Sequence, residues 1–268
     1  MEYTTFPNIK KKVSRIGLGT WALGGWMWGG QKEQEAIDTV HAALDQGITL
    51  IDTAPVYGFG QSEKVVGKSI EIADEREKVV LATKVGLEWK NGTPYRNSTP
   101  ERLEEEIKDS LSRLQTDYID IYQIHWPDPL VPIEQTANKM GELLDKGKIK
   151  AIGVSNYNSE QMDEFQEHAP LHTCQPPYNI FERSIEEELI PYCKNHGIKL
   201  ITYGALCRGL LTGKMEKDTT FKGDDLRNED PKFQEPRYSQ YLKAVEKLEQ
   251  LAQGKYNQDL IVFTVKWI

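Results

Sequence analysis

Residues 79–125 decide the fold, because they predict two buried strands joined by one amphipathic helix. The strands are Val79-Val-Leu-Ala-Thr-Lys84 and Tyr118-Ile-Asp-Ile-Tyr-Gln-Ile-His125. Between them, Thr99-Pro100 is an N-cap followed by a proline at the first helical position, and apolar residues recur at near-helical spacing up to Leu114. Strands this apolar, joined by a helix, predict a parallel sheet that is covered by helices.

The same alternation extends over most of the chain. We predict further strands at 16–20, 48–52, 149–154, 172–175 and 198–203, and further helices at 32–46, 62–70, 132–145, 159–167 and 184–195. Seven such units favour a closed barrel over an open sheet, and the chain length of 268 residues is typical of one such barrel. The expected fold class is therefore α/β, a (β/α)8 TIM barrel, with residues 1–268 as a single domain.

Three segments depart from this alternation. Residues 2–15 precede the first barrel strand, and we expect a hairpin that seals the bottom of the barrel. Residues 215–236 are charged and lack an apolar period, which predicts a long mobile loop. The last two segments, 237–251 and 259–268, are helix-like. The eighth β/α unit therefore has no residues to build it, and we expect the barrel to be C-terminally incomplete.

Composition and charge argue against several classes of function. A formal net charge of −8 argues against a nucleic-acid or anionic-membrane partner. Residues 1–12 lack the apolar core of a signal peptide, and no apolar run approaches the length of a membrane span. The three cysteines, Cys174, Cys193 and Cys207, show no metal-ligand spacing, which predicts reduced thiols and a cytoplasmic protein. The oligomeric state is not predicted.

Polar side chains end the apolar runs, and in a TIM barrel the ends of the strands meet at one mouth. These residues are Asp52, Lys84, His125, Ser155, Asn156, Gln175 and Tyr203, with Tyr57 in the loop after Asp52. Each alone has an ordinary structural explanation, such as a turn cap for Asp52 or a core position for His125. Those explanations do not predict that all of them fall at the same end of successive strands. Lys84 in addition needs a carboxylate partner, and Asp52 on the adjacent strand is the natural candidate.

Two groups of loop residues suggest binding surfaces at this mouth. Tryptophans follow several strands and predict an apolar substrate pocket, although ordinary loop packing explains some of them: Trp21, Trp26 and Trp28 after the first, Trp89 after the third and Trp126 after His125. Gly204 and Gly209 flank Arg208, in a loop that would hold a pyrophosphate or would simply be a flexible surface loop. The sequence lacks the glycine pattern of a Rossmann fold.

Several of these stretches together resemble the aldo-keto reductase family, and within it the bacterial members similar to potassium-channel β subunits. The resemblance covers nearly the whole chain. It is carried by Gly47-Ile-Thr-Leu-Ile-Asp-Thr-Ala-Pro-Val-Tyr-Gly58, Gln123-Ile-His-Trp-Pro127, Gly153-Val-Ser-Asn156, Gln175-Pro-Pro-Tyr-Asn179, and Tyr203 with Arg208-Gly-Leu-Leu-Thr-Gly-Lys214.

The resemblance implies an NAD(P)H-dependent oxidoreductase that reduces aldehyde or ketone carbonyls to alcohols, with a catalytic tetrad of Asp52, Tyr57, Lys84 and His125. Tyr57 would donate the proton as general acid, and Lys84 would lower its pKa by stabilising the phenolate. Asp52 would hold Lys84 in place, and His125 would orient the carbonyl.

The resemblance also implies a cofactor site. Ser155, Asn156 and Gln175 would hold the nicotinamide amide, and Tyr203 would stack on its ring. The loop after the seventh strand would wrap the pyrophosphate through Gly204, Ala205, Leu206, Arg208, Gly209, Leu210 and Lys214. Gly204-Ala205 stands where family members often have Ser-Pro, so a hydroxyl for the phosphate is missing. The expected cofactor is NADPH. NADH is not excluded, because the family binds the 2′-phosphate with a C-terminal segment that has no counterpart in this sequence.

Two other functions compete with this interpretation. One is a cofactor-binding regulatory or sensor module of the channel β-subunit type, and an intact tetrad weighs against a purely binding role. The other is a metal-dependent barrel hydrolase. It needs several His and Asp ligands at strand ends, where His125 is the only histidine that fits, so no metal site is expected. The tryptophan-rich mouth predicts an apolar carbonyl substrate without identifying it.

Overall fold

The structure, a computed structural model, describes residues 1–268. Its strands are β1 (Tyr3–Phe6), β2 (Ile9–Ser14), β3 (Gly17–Gly19), β4 (Leu50–Asp52), β5 (Val80–Val85), β6 (Leu87–Lys90), β7 (Thr93–Arg96), β8 (Ile119–Ile124), β9 (Ile149–Ser155), β10 (Thr173–Gln175) and β11 (Lys199–Leu200). Its α-helices are α1 (Glu33–Asp45), α2 (Gln61–Ala73), α3 (Pro100–Leu114), α4 (Ile133–Asp145), α5 (Ser159–Gln166), α6 (Leu189–Asn195), α7 (Arg237–Tyr256) and α8 (Leu260–Trp267).

The main sheet has seven parallel strands, as the alternation of the sequence predicts. Their order is β3-β4-β5-β8-β9-β10-β11, so neighbours in the sheet are also successive units of the chain. The edge strands β3 and β11 each pair with one neighbour only, and the barrel does not close within these residues. The prediction of a TIM barrel that lacks one β/α unit is confirmed.

The helices begin and end where local chemistry requires. Thr99 accepts a hydrogen bond from the backbone N–H of Arg102 at 3.4 Å, which caps α3, and Pro100 is its first residue. Gly47 follows α1 with a positive φ of 80°, which glycine adopts without strain. The helices pack on the outer face of the sheet over a core that includes Ile107, Met140 and Phe165, all almost fully buried.

The hairpin β1–β2 seals the bottom of the barrel, as predicted. Its strands pair antiparallel, and Phe6, Ile9 and Val13 are buried with the inward-facing residues of the barrel strands, among them Val80 and Ile121. This apolar plug fills the closed end of the half-barrel, so the opposite end of the strands is left to carry the polar groups.

Several segments differ in detail from their predicted secondary structure. Residues 215–236 contain two short 3-10 helices, Leu226–Asn228 and Pro231–Phe233, and bury Leu226 and Phe233. Aspartate side chains cap these turns, and the sequence has no apolar period that would predict them. Residues 184–195 divide into a 3-10 turn, Ser184–Glu186, and α6. The seventh strand is only Lys199–Leu200. Beyond it, Ile201 and Tyr203 still donate backbone hydrogen bonds to the carbonyl oxygens of Cys174 and Pro176 at 2.9 and 3.0 Å.

The hairpin β6–β7 was not predicted. Its turn is Asn91-Gly92, with φ of 51° and 77°, and this dipeptide is a strong hairpin signal. The hairpin follows β5 directly, so it stands at the mouth of the barrel. None of the helices combines the length and the apolar character that a membrane crossing requires.

Candidate active site

Lys84 is the centre of the site. It is the last residue but one of β5 and its side chain is 1% exposed. Its Nζ donates to Asp52 Oδ2 at 2.6 Å and to the carbonyl oxygen of Thr53 at 2.9 Å. The same Nζ lies 3.4 Å from the hydroxyl oxygen of Tyr57. The predicted ion pair between Asp52 and Lys84 is therefore present, and it places a buried ammonium beside a phenol.

Asp52 divides its two carboxylate oxygens between different partners. Oδ2 faces Lys84, whereas Oδ1 accepts hydrogen bonds from the Gln175 amide at 2.8 Å and from the Gln123 amide at 3.2 Å. The strand register explains this convergence, because Asp52 ends β4 and the other three side chains end or nearly end β5, β8 and β10 of the same parallel sheet.

Close backbone packing positions Tyr57. A Cβ on Gly58 would lie 2.1 Å from the carbonyl oxygen of Gly24, and a Cβ on Gly24 would lie 2.5 Å from the backbone of Tyr57. Just beyond this loop, the Ser62 hydroxyl contacts the hydroxyls of Thr20 at 2.8 Å and Thr53 at 3.0 Å. The start of α2 is thereby tied to the ends of β3 and β4, which fixes the loop between them.

Burial raises the pKa of Tyr57 above its ordinary value, and the Lys84 charge opposes this shift. We expected Lys84 to lower the pKa outright. The lysine acts in that direction, but burial, together with the Asp52 carboxylate, outweighs it. Burial also opposes the charge on Lys84, yet Asp52 and Tyr57 together raise the pKa of the lysine. Tyr57 therefore holds its proton beside an ammonium that stays charged.

His125 completes the group. Its ring lies edge-on to that of Tyr57, with 5.8 Å between ring centroids and 84° between planes. Burial and then the nearby Lys84 charge hold the pKa of His125 well below its usual range, so the ring is neutral. A neutral imidazole can donate one hydrogen bond to a carbonyl oxygen without adding charge.

Polar groups expected to hold the nicotinamide lie on the adjacent strands. The Ser155 hydroxyl donates to the carbonyl oxygen of Gln175 at 2.8 Å, and the Asn156 amide donates to that of His125 at 3.0 Å. The hydroxyl of Tyr203 donates to Asn156 Oδ1 at 2.9 Å, while the tyrosine is 39% exposed. The side chains of Ser155, Asn156 and Tyr203 thus form one connected row beside the tetrad, which the backbone carbonyl of Gln175 extends, with an accessible aromatic ring at its end. These hydrogen-bonding groups suit a planar aromatic ring that carries a carboxamide.

The loop after β11, predicted to hold a pyrophosphate, has an irregular backbone. Gly204, Cys207, Arg208 and Gly209 all have positive φ. The Arg208 guanidinium forms an ion pair with Asp230 in the 215–236 segment. Leu210 is fully buried in the local apolar cluster. Leu206 and Ala205 are half-buried, and Lys214 is exposed.

Aromatic side chains form a wall beside Tyr57. The Trp21 ring stacks on Tyr57 with 5.8 Å between centroids. Trp26, Phe59 and Trp89 form a separate chain with centroid distances of 4.8 and 5.5 Å. Trp126 stands apart from this chain. It is 37% exposed, and the Arg96 guanidinium lies 5.4 Å from its ring centroid.

Two residues of the site were not predicted from the sequence. Gln123 and Phe59 were not assigned a role, although both lie inside the quoted motifs or next to them. Trp28, one of the tryptophans predicted at the mouth, packs edge-on against Trp21 with 5.5 Å between ring centroids. Gln123 had a usable signal, since a polar residue two positions before a strand-end histidine faces the same side of the sheet.

Comparisons with known proteins agree on one family. The model of the aldo/keto reductase family matches residues 15–268. Aldo-keto reductase YhdN of Bacillus subtilis is 60% identical over 268 residues, which are all of this chain and 81% of that protein. The NADH-specific methylglyoxal reductase of Escherichia coli is 40% identical over 221 residues, covering 77% of this chain and 68% of that protein.

Solved structures agree as well. The glycerol dehydrogenase of Gluconobacter oxydans superposes with a TM-score of 0.90 at 50% identity, over 99% of this chain and 82% of that one. An aldo/keto reductase of Klebsiella pneumoniae, solved with NADP and acetate, gives a TM-score of 0.71 at 27% identity, over 96% and 77% of the two chains. The chain therefore belongs to the aldo/keto reductase family and is an NAD(P)H-dependent oxidoreductase of carbonyl groups.

Proposed function

We propose that Tyr57 is the general acid of carbonyl reduction, with Lys84, Asp52 and His125 as its partners. The observation that supports this most directly is the position of Lys84 Nζ, 2.6 Å from Asp52 and 3.4 Å from the hydroxyl of Tyr57. The buried Lys84 ammonium therefore contacts both the Asp52 carboxylate and the Tyr57 phenol, which becomes an anion during the reaction.

The chemistry follows from these contacts. A bound nicotinamide would supply the hydride, and negative charge would then develop on the carbonyl oxygen. The neutral His125 ring donates a hydrogen bond to that oxygen, and Tyr57 transfers its proton to it. Lys84 then stabilises the phenolate, and Asp52 keeps the ammonium in place. In the reverse direction the phenolate of Tyr57 acts as the base.

We further propose NADPH as the cofactor. Ser155, Asn156 and Gln175 would hold the carboxamide, and Tyr203 would stack on the ring. Gln175 suits this role because its Nε2 is taken by Asp52, which leaves Oε1 to accept from the carboxamide. The segment from Gly204 to Lys214 would wrap the pyrophosphate mainly through its backbone. The relatives include an NADH-specific enzyme and one solved with NADP, so the nucleotide preference needs its own measurement.

The substrate in this proposal is a small carbonyl compound with an apolar side, which the aromatic wall of Trp21, Trp26 and Trp89 would contact. Trp126 belongs to the proposed pocket at its rim. Three expectations remain predictions. They are a single barrel domain over residues 1–268, a cytoplasmic location, and a finer likeness to the family members that resemble channel β subunits.

Tyr57→Phe tests the proposal. The variant loses the proton donor but keeps the ring that packs on Trp21, so turnover of a generic aldehyde should fall by a factor of 10²–10⁴, the usual range for a lost general acid. Binding of NADPH, measured by fluorescence titration, should stay close to that of the unmodified protein. Tyr256→Phe is the matched control, because Tyr256 is 48% exposed on α7.

The same assay distinguishes catalysis from a regulatory role. Near-normal turnover by Tyr57→Phe would reject the assignment. Tight cofactor binding without turnover by the unmodified protein would favour a regulatory or sensor module. Parallel titrations with NADPH and NADH decide the nucleotide preference.

A further inference from the structure

Gln123 is a buried amide that the reaction described above does not use. It lies on β8, two residues before His125, and its side chain is fully buried. Its Nε2 donates to Asp52 Oδ1 at 3.2 Å, on the oxygen that does not face Lys84. Together with the Gln175 amide, it occupies one side of the carboxylate while the ammonium occupies the other.

The neighbouring strand leaves space for this side chain. Gln123 lies opposite Gly153 of β9 in the strand register. A Cβ at position 153 would lie 2.3 Å from Oγ1 of Thr173, 2.7 Å from Cγ of Gln123 and 3.3 Å from its Oε1. Gly153 lies in regular strand conformation, so it is the space that requires glycine here and not the backbone angles. The glycine leaves space for Thr173 and for the Gln123 amide that contacts Asp52.

We infer that Gln123 is a positioning residue for the reduction. It holds the Asp52 carboxylate so that Oδ2 faces Lys84, and this sets the place of the ammonium beside Tyr57. The inference rests on the proposed roles of Tyr57, Lys84 and Asp52. Hydrogen bonds to a charged acceptor are stronger than those between neutral groups. Without the amide, the carboxylate can turn about its last side-chain bond and take Lys84 with it.

Gln123→Leu removes the donor at similar volume. We expect kcat for aldehyde reduction to fall about tenfold, the effect of losing one hydrogen bond to a charged group. The KM for NADPH should stay unchanged, because Gln123 lies behind Asp52 and has no place in the cofactor row. The alkaline limb of the kcat profile should move to higher pH, because a less well satisfied Asp52 carboxylate disfavours the Tyr57 phenolate.

Gln166→Leu is the matched control. Gln166 ends α5, where its amide donates to the carbonyl oxygen of Met162 at 3.2 Å and to the hydroxyl of Tyr192 at 2.9 Å. This variant removes a part-buried amide that has no contact with the tetrad. It should change the melting temperature and leave kcat and its pH profile as in the unmodified protein.

Gln123→Glu separates a positioning role from a structural one. The introduced carboxyl keeps the shape of the amide and can donate to Asp52 only while it carries a proton. The kcat should therefore approach that of the unmodified protein at the acid end and fall as the pH rises, on a limb that Gln123→Leu lacks. If the Gln123 side chain only filled space, kcat of this variant would show no such fall with pH.

The outcomes are distinct. Unchanged kcat and pH profile in both Gln123 variants would overturn the inference. A lower melting temperature with unchanged kcat, the result expected for Gln166→Leu, would also overturn it. Tyr57→Phe belongs in the same series: if it is inactive while the Gln123 variants are normal, only this inference fails. If Tyr57→Phe is active, the proposed site fails and the inference with it. Should Gln123→Leu not fold, Gln123→Glu carries the test: kcat that does not fall as the pH rises, beyond the change in the unmodified protein, would overturn the inference.

Discussion

Replacing Lys84 by methionine should destabilise the protein as well as inactivate it. The side chain is 1% exposed and that of Asp52 is 15% exposed, so Lys84→Met leaves a largely buried carboxylate without its cation. Breaking such a pair from one side costs about 3–5 kcal/mol. Because Asp52 keeps the amides of Gln123 and Gln175, we expect the lower end, about 3 kcal/mol. For a chain of this size that lowers the melting temperature by roughly 6–12 °C.

The double variant Asp52→Leu with Lys84→Met identifies the cause. It removes the unpaired Asp52 charge, so its free energy of unfolding should be about 1–2 kcal/mol higher than that of Lys84→Met alone. Neither variant should reduce an aldehyde. Lys108→Met is the control, because Lys108 forms an exposed pair with Glu104 at 3.1 Å and should change stability by less than about 1 kcal/mol. Thermal melts and guanidinium titrations measure these differences. A double variant that melts no higher than Lys84→Met would refute the buried pair.

Two further predictions concern pH. Burial raises the pKa of Tyr57 and lowers that of His125, so kcat for reduction should stay level from about pH 6.5 to above pH 9 and fall only in alkaline solution. The kcat for alcohol oxidation should instead rise with pH. Profiles of kcat in both directions check this, and a fall in kcat for reduction near neutral pH would contradict it. Burial also lowers the pKa of His172, whose Nδ1 accepts from the backbone N–H of Ile152 at 3.0 Å. Since the unfolded chain binds that proton more readily, stability should be full above about pH 7.5 and decrease as the pH falls through about 6.5. In His172→Asn, where an amide oxygen can accept instead, the unfolding free energy should depend less on pH over that range, and an equal slope would reject the role of His172.

Secondary structure was predictable wherever local chemistry determines it. The apolar run 79–84 has few alternatives to a buried strand, and Thr99-Pro100 determines where α3 begins. Prediction failed where tertiary contacts replace local pattern. Residues 215–236 lack any period, yet Asp224 accepts from the backbone N–H groups of Met27 at 2.8 Å and Gly29 at 3.1 Å, which joins this segment to the loop after β3. Such contacts join residues nearly 200 positions apart, and no window of sequence contains both.

For the site, the sequence by itself determined which residues reach the mouth, and the tertiary structure decided how they act on one another. Asp52, Lys84 and His125 were predictable because each ends an apolar strand, and parallel strands bring such ends together. Three things depended on the folded environment: the two amides on Asp52 Oδ1, the space that Gly153 leaves for Gln123, and the net rise in the pKa of Tyr57. The physical reason is that a pKa or an orientation depends on the sum of burial, charge and hydrogen bonds from several strands. That sum exists only once the strands are side by side.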